Sequence, residues 1–262
     1  MTTTIMKKLI TTVLLSLASS GFIAQATIVE FQTSHGNFKV NLHDETTPIT
    51  VTNFLKYVED FRYDNTIVHR TVDNFVIQGG GAKFEGTLPP KWIETDSNIM
   101  NEPVYSNVRA TIAMAKSAYI HSATSQWFIN TKDNSSSLDP YERGGFTVFG
   151  EVIEDGMNVV NAIANVNRCN TGYSGFTELP MPDYSAAQCA NGVTPSTENF
   201  VTVYNVVIVD STVNTDGDLA SVKNTRYKEP SDNSSSKGSG GGSLGWYSLL
   251  LIALFGLFRH QK

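Results

Sequence analysis

The chain is poor in cysteine, in basic charge and in long apolar runs, and each shortage excludes a class of protein. Only two of its 262 residues are cysteine, too few for a disulfide-dense scaffold or a four-cysteine zinc site. Lysine and arginine number 19 against 25 acidic residues, a formal net charge of −6. An acidic chain without a basic stripe excludes a nucleic-acid partner. His35, His43, His69 and His121 have no metal-ligand spacing. Gly79-Gly80-Gly81 lacks the spacing and lysine of a phosphate loop and reads as a turn after a strand. Ser125 sits in no nucleophile-elbow pattern. What is present is 40% hydrophobic and 10% aromatic residues, enough to support a packed core.

The ends differ from the middle. Residues 1–26 read as a secretory signal peptide: Lys7 and Lys8, an apolar stretch from Leu9 to Ala24, then Ala24-Gln25-Ala26 for a signal peptidase. Residues 211–243 carry few large apolar side chains, finish in a Ser/Gly tract and predict a flexible linker. Leu244 to Phe258 is a 15-residue uncharged run closed by Arg259, His260, Gln261 and Lys262, short of the ~20 residues of a comfortable membrane span. Gly-rich tract, short apolar helix and basic end together resemble the GlyGly-CTERM sorting signal of Gram-negative bacteria. That resemblance implies cleavage by a rhomboid-type protease and delivery to the surface or outside. A retained anchor, with its basic end on the cytoplasmic side, is the alternative. The expected location is the periplasm, with membrane contact only through residues 244–262. The remaining domain, 27–210, has single-domain size. In an oxidising compartment Cys169 and Cys189 form a disulfide by default. No Cys-x-x-Cys spacing suggests redox work, so a structural staple is expected.

Within the domain, Ile28–Phe31 and Phe38–Leu42 read as two strands about a turn at Ser34–Asn37. Thr46-Thr47-Pro48 predicts a hydroxyl-capped helix start, with Val51, Phe54, Leu55, Val58 and Phe61 on one face. Further strands are expected over 67–70, 75–78, 111–115, 126–130, 146–152 and 200–209, and a second helix over 157–164. Many short strands and two helices predict a mainly β fold, a closed antiparallel barrel capped by helices. Residues 168–196, rich in Gly, Pro, Asn and Ser, read as a long loop held by the disulfide.

Several segments carry a family resemblance: His69-Arg70-Thr71-Val72-Asp73-Asn74-Phe75-Val76-Ile77-Gln78-Gly79-Gly80-Gly81, Thr111-Ile112-Ala113-Met114-Ala115, Ser122-Ala123-Thr124-Ser125-Gln126-Trp127-Phe128-Ile129-Asn130, Leu138-Asp139 and Phe146-Thr147-Val148-Phe149-Gly150. In this order they resemble the cyclophilin-type peptidyl-prolyl cis-trans isomerases, the bacterial periplasmic branch most of all. The resemblance implies an eight-stranded barrel capped by two helices and a hydrophobic groove on its outer surface. It also implies a monomer that acts on proline-containing polypeptides and assists protein folding. By the same resemblance Arg70 is the catalytic arginine, with Gln78 and Gln126 holding it and the peptide by hydrogen bonds. Phe75, Val76, Ala115, Phe128, Leu138 and Phe146 are then the substrate-binding residues. His69 lies either at the groove edge or satisfied by neighbouring backbone.

The chemistry agrees with those residue types. The amide barrier is about 18–20 kcal/mol, set by C–N resonance, and X-Pro bonds isomerise slowly enough to limit folding. No nucleophile, metal or cofactor is needed: an apolar pocket holds the proline and a guanidinium donates to the twisted amide. Phe146 stands where relatives have histidine or tyrosine and Val76 where methionine is frequent, which leaves the pocket less polar and stiffer. Ser137 lies near where eukaryotic members place a tryptophan that binds cyclosporin, and weak inhibition by that drug is expected. A peptide-holding module with the same groove but little turnover is the alternative. The joint presence of Arg70, Phe75, Gln78 and Phe128 favours the enzyme.

Overall fold

Alternation of apolar and polar residues builds the barrel. In β1 (Ile28–Thr33) every second residue is buried, so Val29, Phe31 and Thr33 face inward. β2 (Gly36–Leu42) sends Phe38, Val40 and Leu42 to the same interior. Phe31 stacks on Phe38 at 4.8 Å and meets Trp127 edge-on at 5.1 Å. The computed structural model describes residues 27–140, 145–211 and 219–226. The signal peptide expected over 1–26 and the apolar segment 244–262 lie outside the described residues. Among the described residues no helix is long and apolar enough to cross a membrane.

After β2 come α1 (Pro48–Glu59), β3 (Thr66–Ile67), β4 (Arg70–Val72), β5 (Val76–Gly79), β6 (Ala82–Lys83) and β7 (Lys91–Trp92). There follow β8 (Thr111–Met114), β9 (Trp127–Asn130), the short α2 (Ser135–Leu138), β10 (Val148–Val152) and α3 (Gly156–Ala164). The chain then runs through β11 (Arg168–Cys169), β12 (Leu179–Pro180), α4 (Ala186–Ala190) and β13 (Thr202–Asp210). β3 and β4 are two halves of one extended segment, as are β5 and β6. Ile67 faces Ala82 while Arg70 faces Gln78, so three steps on one strand answer four on the other. The glycine run is therefore a one-residue slip within a strand rather than the expected turn. Counting each pair as one strand, antiparallel pairing runs β1, β2, β10, β8, β9, β5/β6, β3/β4, β13 and back to β1. This is the expected closed eight-stranded barrel, with α1 and α3 its two longer helices.

Two details of α1 differ from expectation. Thr47 makes no side-chain cap. Instead the Glu102 carboxylate accepts from the Ile49 and Thr50 amides at 3.3 and 2.9 Å and from the Thr50 hydroxyl at 2.7 Å. An anion at the helix start satisfies donors that have no partner inside the helix and favours its dipole. Phe61, expected on the buried face, is 72% exposed. The helix ends at Glu59 and Phe61 has a positive φ of 56°, so its ring leaves the helical register, and Tyr57 fills the core instead.

The segment 168–196 is more than a loop. β11 and β12 pair as a small hairpin, and Cys169 and Cys189 are disulfide-bonded. Phe176, Leu179, Met181 and Tyr184 bury with Ile67, Ala82 and Phe200 in a second apolar cluster outside the barrel. Part of the expected linker also packs. Lys223 forms an antiparallel bridge with Tyr105, Ser106 donates to the Val222 carbonyl at 2.8 Å and Asn224 to that of Val104 at 2.9 Å. The Lys223 ammonium lies 4.1 Å from the Tyr105 ring centre.

Candidate active site

The alternation that fills the barrel also furnishes its outer wall. On β5, β9 and β8, Ile77, Trp127, Ile129, Ile112 and Met114 point into the main core. Val76, Phe128 and Ala113 belong to a separate outer cluster. Ladder register lines the outer residues up. Arg70 faces Gln78, Gln78 faces Phe128, Phe128 faces Ala113, and Ala113 faces Val148. With neighbouring strands roughly 4.8 Å apart, the guanidinium strand lies two strands, or about 10 Å, from the phenylalanine strand. A polar end and an apolar end thus share one row.

The apolar end gathers the expected residues. Val76, Phe128, Leu138 and Phe146 cluster with Tyr105, Ala113 and Val148, and Phe75 and Ala115 pack against them. Phe128 and Phe146 meet edge-to-face at 5.5 Å and 82°, a favoured aromatic geometry. The Lys116 ammonium sits 4.9 Å from the centre of the Phe146 ring. Buried Asp139 fixes the neighbouring chain by accepting from the Asn107 amide at 2.8 Å, from the Asn107 side chain at 3.0 Å and from the Ser106 hydroxyl. Asn134, just before α2, donates to the Phe75 carbonyl and to Asn130, each at 2.8 Å. The turn before Phe75 works as its Asp-Asn sequence implies: Asn74 has φ 48° and the Phe75 amide donates to the Val72 carbonyl at 3.1 Å.

At the polar end the expected network is rearranged. Gln78 donates to Gln126 at 2.9 Å, so the two glutamines bind each other. Arg70 donates through Nε to Glu178 of the insert at 2.8 Å, not to either glutamine. Arg70 retains 20% side-chain exposure, so its guanidinium reaches solvent. His69 is not at a groove edge. It is 2% exposed and meets Trp92 and Phe176 edge-on at 5.4 and 6.4 Å. Burial first, and the adjacent Arg70 charge second, push its pKa down to about 4. His69 is a neutral packing residue under the insert. His69 lies between β3 and β4, at the one-residue slip, so strand alternation does not carry through it and its ring packs with Phe176 in the apolar cluster outside the barrel.

The arrangement places an apolar cluster beside a guanidinium fork and two side-chain amides. Among the described residues the Ser125 hydroxyl is aligned with no base, and non-covalent rotation of an amide requires none. Comparison with known proteins agrees. A profile described as cyclophilin type peptidyl-prolyl cis-trans isomerase/CLD matches residues 28–183. The chain belongs to the cyclophilin family. A peptidyl-prolyl cis-trans isomerase of Acinetobacter baylyi is 42% identical over 163 residues, covering 62% of this chain and 84% of that one. Peptidyl-prolyl cis-trans isomerase B of Escherichia coli is 41% identical over 162 residues, covering 60% and 94%. Peptidyl-prolyl cis-trans isomerase A of Dickeya dadantii is 38% identical over 189 residues, covering 70% and 95%.

This cyclophilin is thus a peptidyl-prolyl cis-trans isomerase acting on proline-containing polypeptides. Sequence reading missed Glu178, Lys116, Tyr105 and Asn134 at its site. Lys116 directly follows the recognisable Thr111–Ala115 strand and could have been found there. Glu178 could not, because nothing in the pattern of 168–196 brings it to β4.

Proposed function

We propose that this isomerase accelerates rotation about X-Pro bonds of exported polypeptides, with proline seated against Phe75, Val76, Phe128, Leu138 and Phe146. Arg70 donates to the amide nitrogen as it loses conjugation and regains its lone pair. Gln78 and Gln126, locked to each other, present their remaining polar atoms to the peptide backbone. Interaction that strengthens only in the twisted state lowers the barrier, and each ~1.4 kcal/mol is tenfold in rate. The observation that carries this reading is the register row that sets Arg70 and Phe128 on one outer face, two strands apart. Action in the periplasm, and sorting or anchoring through residues 244–262, is supported by the signal-peptide pattern, by the GlyGly-CTERM resemblance and by the disulfide.

The test is proline isomerisation by the full chain beside Arg70→Ala. A fall of ~10²-fold, about 3 kcal/mol, with peptide binding kept, supports the mechanism. A variant that keeps the wild-type rate refutes it. Fractionation of cells expressing the chain, with mass determination at both ends, tests export and tail removal. Intact ends in the cytoplasm would refute that part.

A further inference from the structure

The insert 168–196 does not merely decorate the barrel; it lies along β4 and touches the arginine that the proposed mechanism uses. Three contacts hold it to the barrel. The Thr71 amide donates to the Glu178 carbonyl at 3.0 Å. Arg168 pairs with both oxygens of Asp73 at 2.5 and 2.6 Å. Phe176 stacks on Trp92 at 4.7 Å while Leu179 is fully buried. Glu178 therefore stands between two buried anchors, with its own carbonyl clamped to the residue after Arg70, and the Cys169–Cys189 disulfide closes the segment that carries it.

We infer that Glu178 is a positioning residue for the isomerisation: its carboxylate holds Arg70 through Nε and so presents the terminal fork of the guanidinium to the substrate amide. An arginine side chain has many rotamers, and a charged partner on one edge of the planar group fixes its orientation. Among the described residues Glu178 is the only hydrogen-bond partner of the Arg70 side chain, which leaves both Nη nitrogens for substrate. An ion pair this exposed, 20% and 37%, adds little to folding stability. Its effect is expected in the rate, through preorganisation. This inference rests on the reading of Arg70 given above.

The experiment is a double-mutant cycle in the full chain: wild type, Glu178→Ala, Arg70→Ala and the double variant, with Glu178→Gln as the conservative change. Each is assayed for kcat and KM on a proline tetrapeptide and for its urea midpoint. Glu178→Ala is expected to lower kcat about tenfold with KM and midpoint little changed. Glu178→Gln, whose amide oxygen can still accept from Nε, should recover much of the loss. In the Arg70→Ala background Glu178→Ala should cost nothing further. Wild-type kcat in Glu178→Ala, or an equal loss in both backgrounds, overturns the positioning role while a slowed Arg70→Ala leaves the Arg70 reading standing. A fully active Arg70→Ala overturns both. A kcat loss that tracks a lowered midpoint assigns Glu178 to the scaffold and also overturns the proposal.

Discussion

Replacing Gly80 and Gly81 by alanine, one at a time, should separate scaffold from site in adjacent residues. Gly80 has φ +73°, and a β-carbon there would lie 2.6 Å from the Trp127 indole and 2.9 Å from the Ser125 carbonyl. The left-handed backbone costs an L-residue about 1–2 kcal/mol, and overpacking against a core tryptophan about 1–3 more. Gly80→Ala is thus expected to lose about 2–5 kcal/mol, a large part of an ordinary domain's stability. At Gly81 the three atoms nearest the new carbon all belong to the Gln126 side chain, at 2.7–3.0 Å. Gln126 is half-buried and can swing aside, giving up its bond to Gln78. That costs about 0.5–1.5 kcal/mol, offset by about 0.4–1 kcal/mol from a stiffer unfolded chain. Gly81→Ala should therefore be near neutral in a urea titration followed by tryptophan fluorescence. It should slow isomerisation of a proline tetrapeptide about tenfold, since the glutamine pair beside Arg70 is broken. If Gly81→Ala unfolds as early as Gly80→Ala, or turns over at the wild-type rate, the reasoning is wrong.

Stability should fall in mild acid. His69 and His43 are buried with pKa values pushed down to about 4, while the unfolded chain titrates near 6.5, so the unfolded state binds more protons between those values. Stability is complete above pH ~6.5 and drains as pH falls toward 4, by about 3 kcal/mol for His69 alone. Urea midpoints that stay flat from pH 7 to 4.5 would contradict this. Glu102→Ala should uncap α1 and cost about 1–2 kcal/mol, read as a lowered urea midpoint with kcat unchanged. Replacing both Cys169 and Cys189 by serine opens a loop of 20-residue separation and should cost about 3 kcal/mol. An unchanged thermal midpoint would deny the disulfide its role as a staple.

The barrel was legible because its strands obey a period of two. Val29, Phe31, Phe38, Val40, Ile112 and Ile129 announce the interior by position, whereas the pocket residues came from the family resemblance, and the structure then sets Val76 and Phe128 on the outer face. What stayed hidden depends on distance along the chain. Glu102 caps a helix 52 residues earlier, and no local pattern foretells it. The insert's core residues Phe176, Leu179, Met181 and Tyr184 follow neither helical nor strand spacing, and its strands are two residues long. A composition of Gly, Pro, Asn and Ser therefore concealed both a small core and Glu178. For the same reason a Ser/Asp/Asn-rich tail gave no sign that 219–226 would pair with Val104–Ser106. His69 was left open because a single histidine beside a functional arginine can face either way. Its contacts with Trp92 and Phe176 decide it.

The row from Arg70 to Val148 crosses five strands of a closed hydrogen-bonded ring, so the separation between donor and pocket belongs to the barrel rather than to the side chains. Natural variation can then change what the walls are made of but not where they stand. A change such as Val76 to a longer residue adjusts affinity in steps of about 0.8 kcal/mol per buried methylene and leaves the donor in register with the bond it serves. Substrate preference on this scaffold is graded by wall volume, like the bore of a fixed gauge, while the reaction itself is carried unchanged.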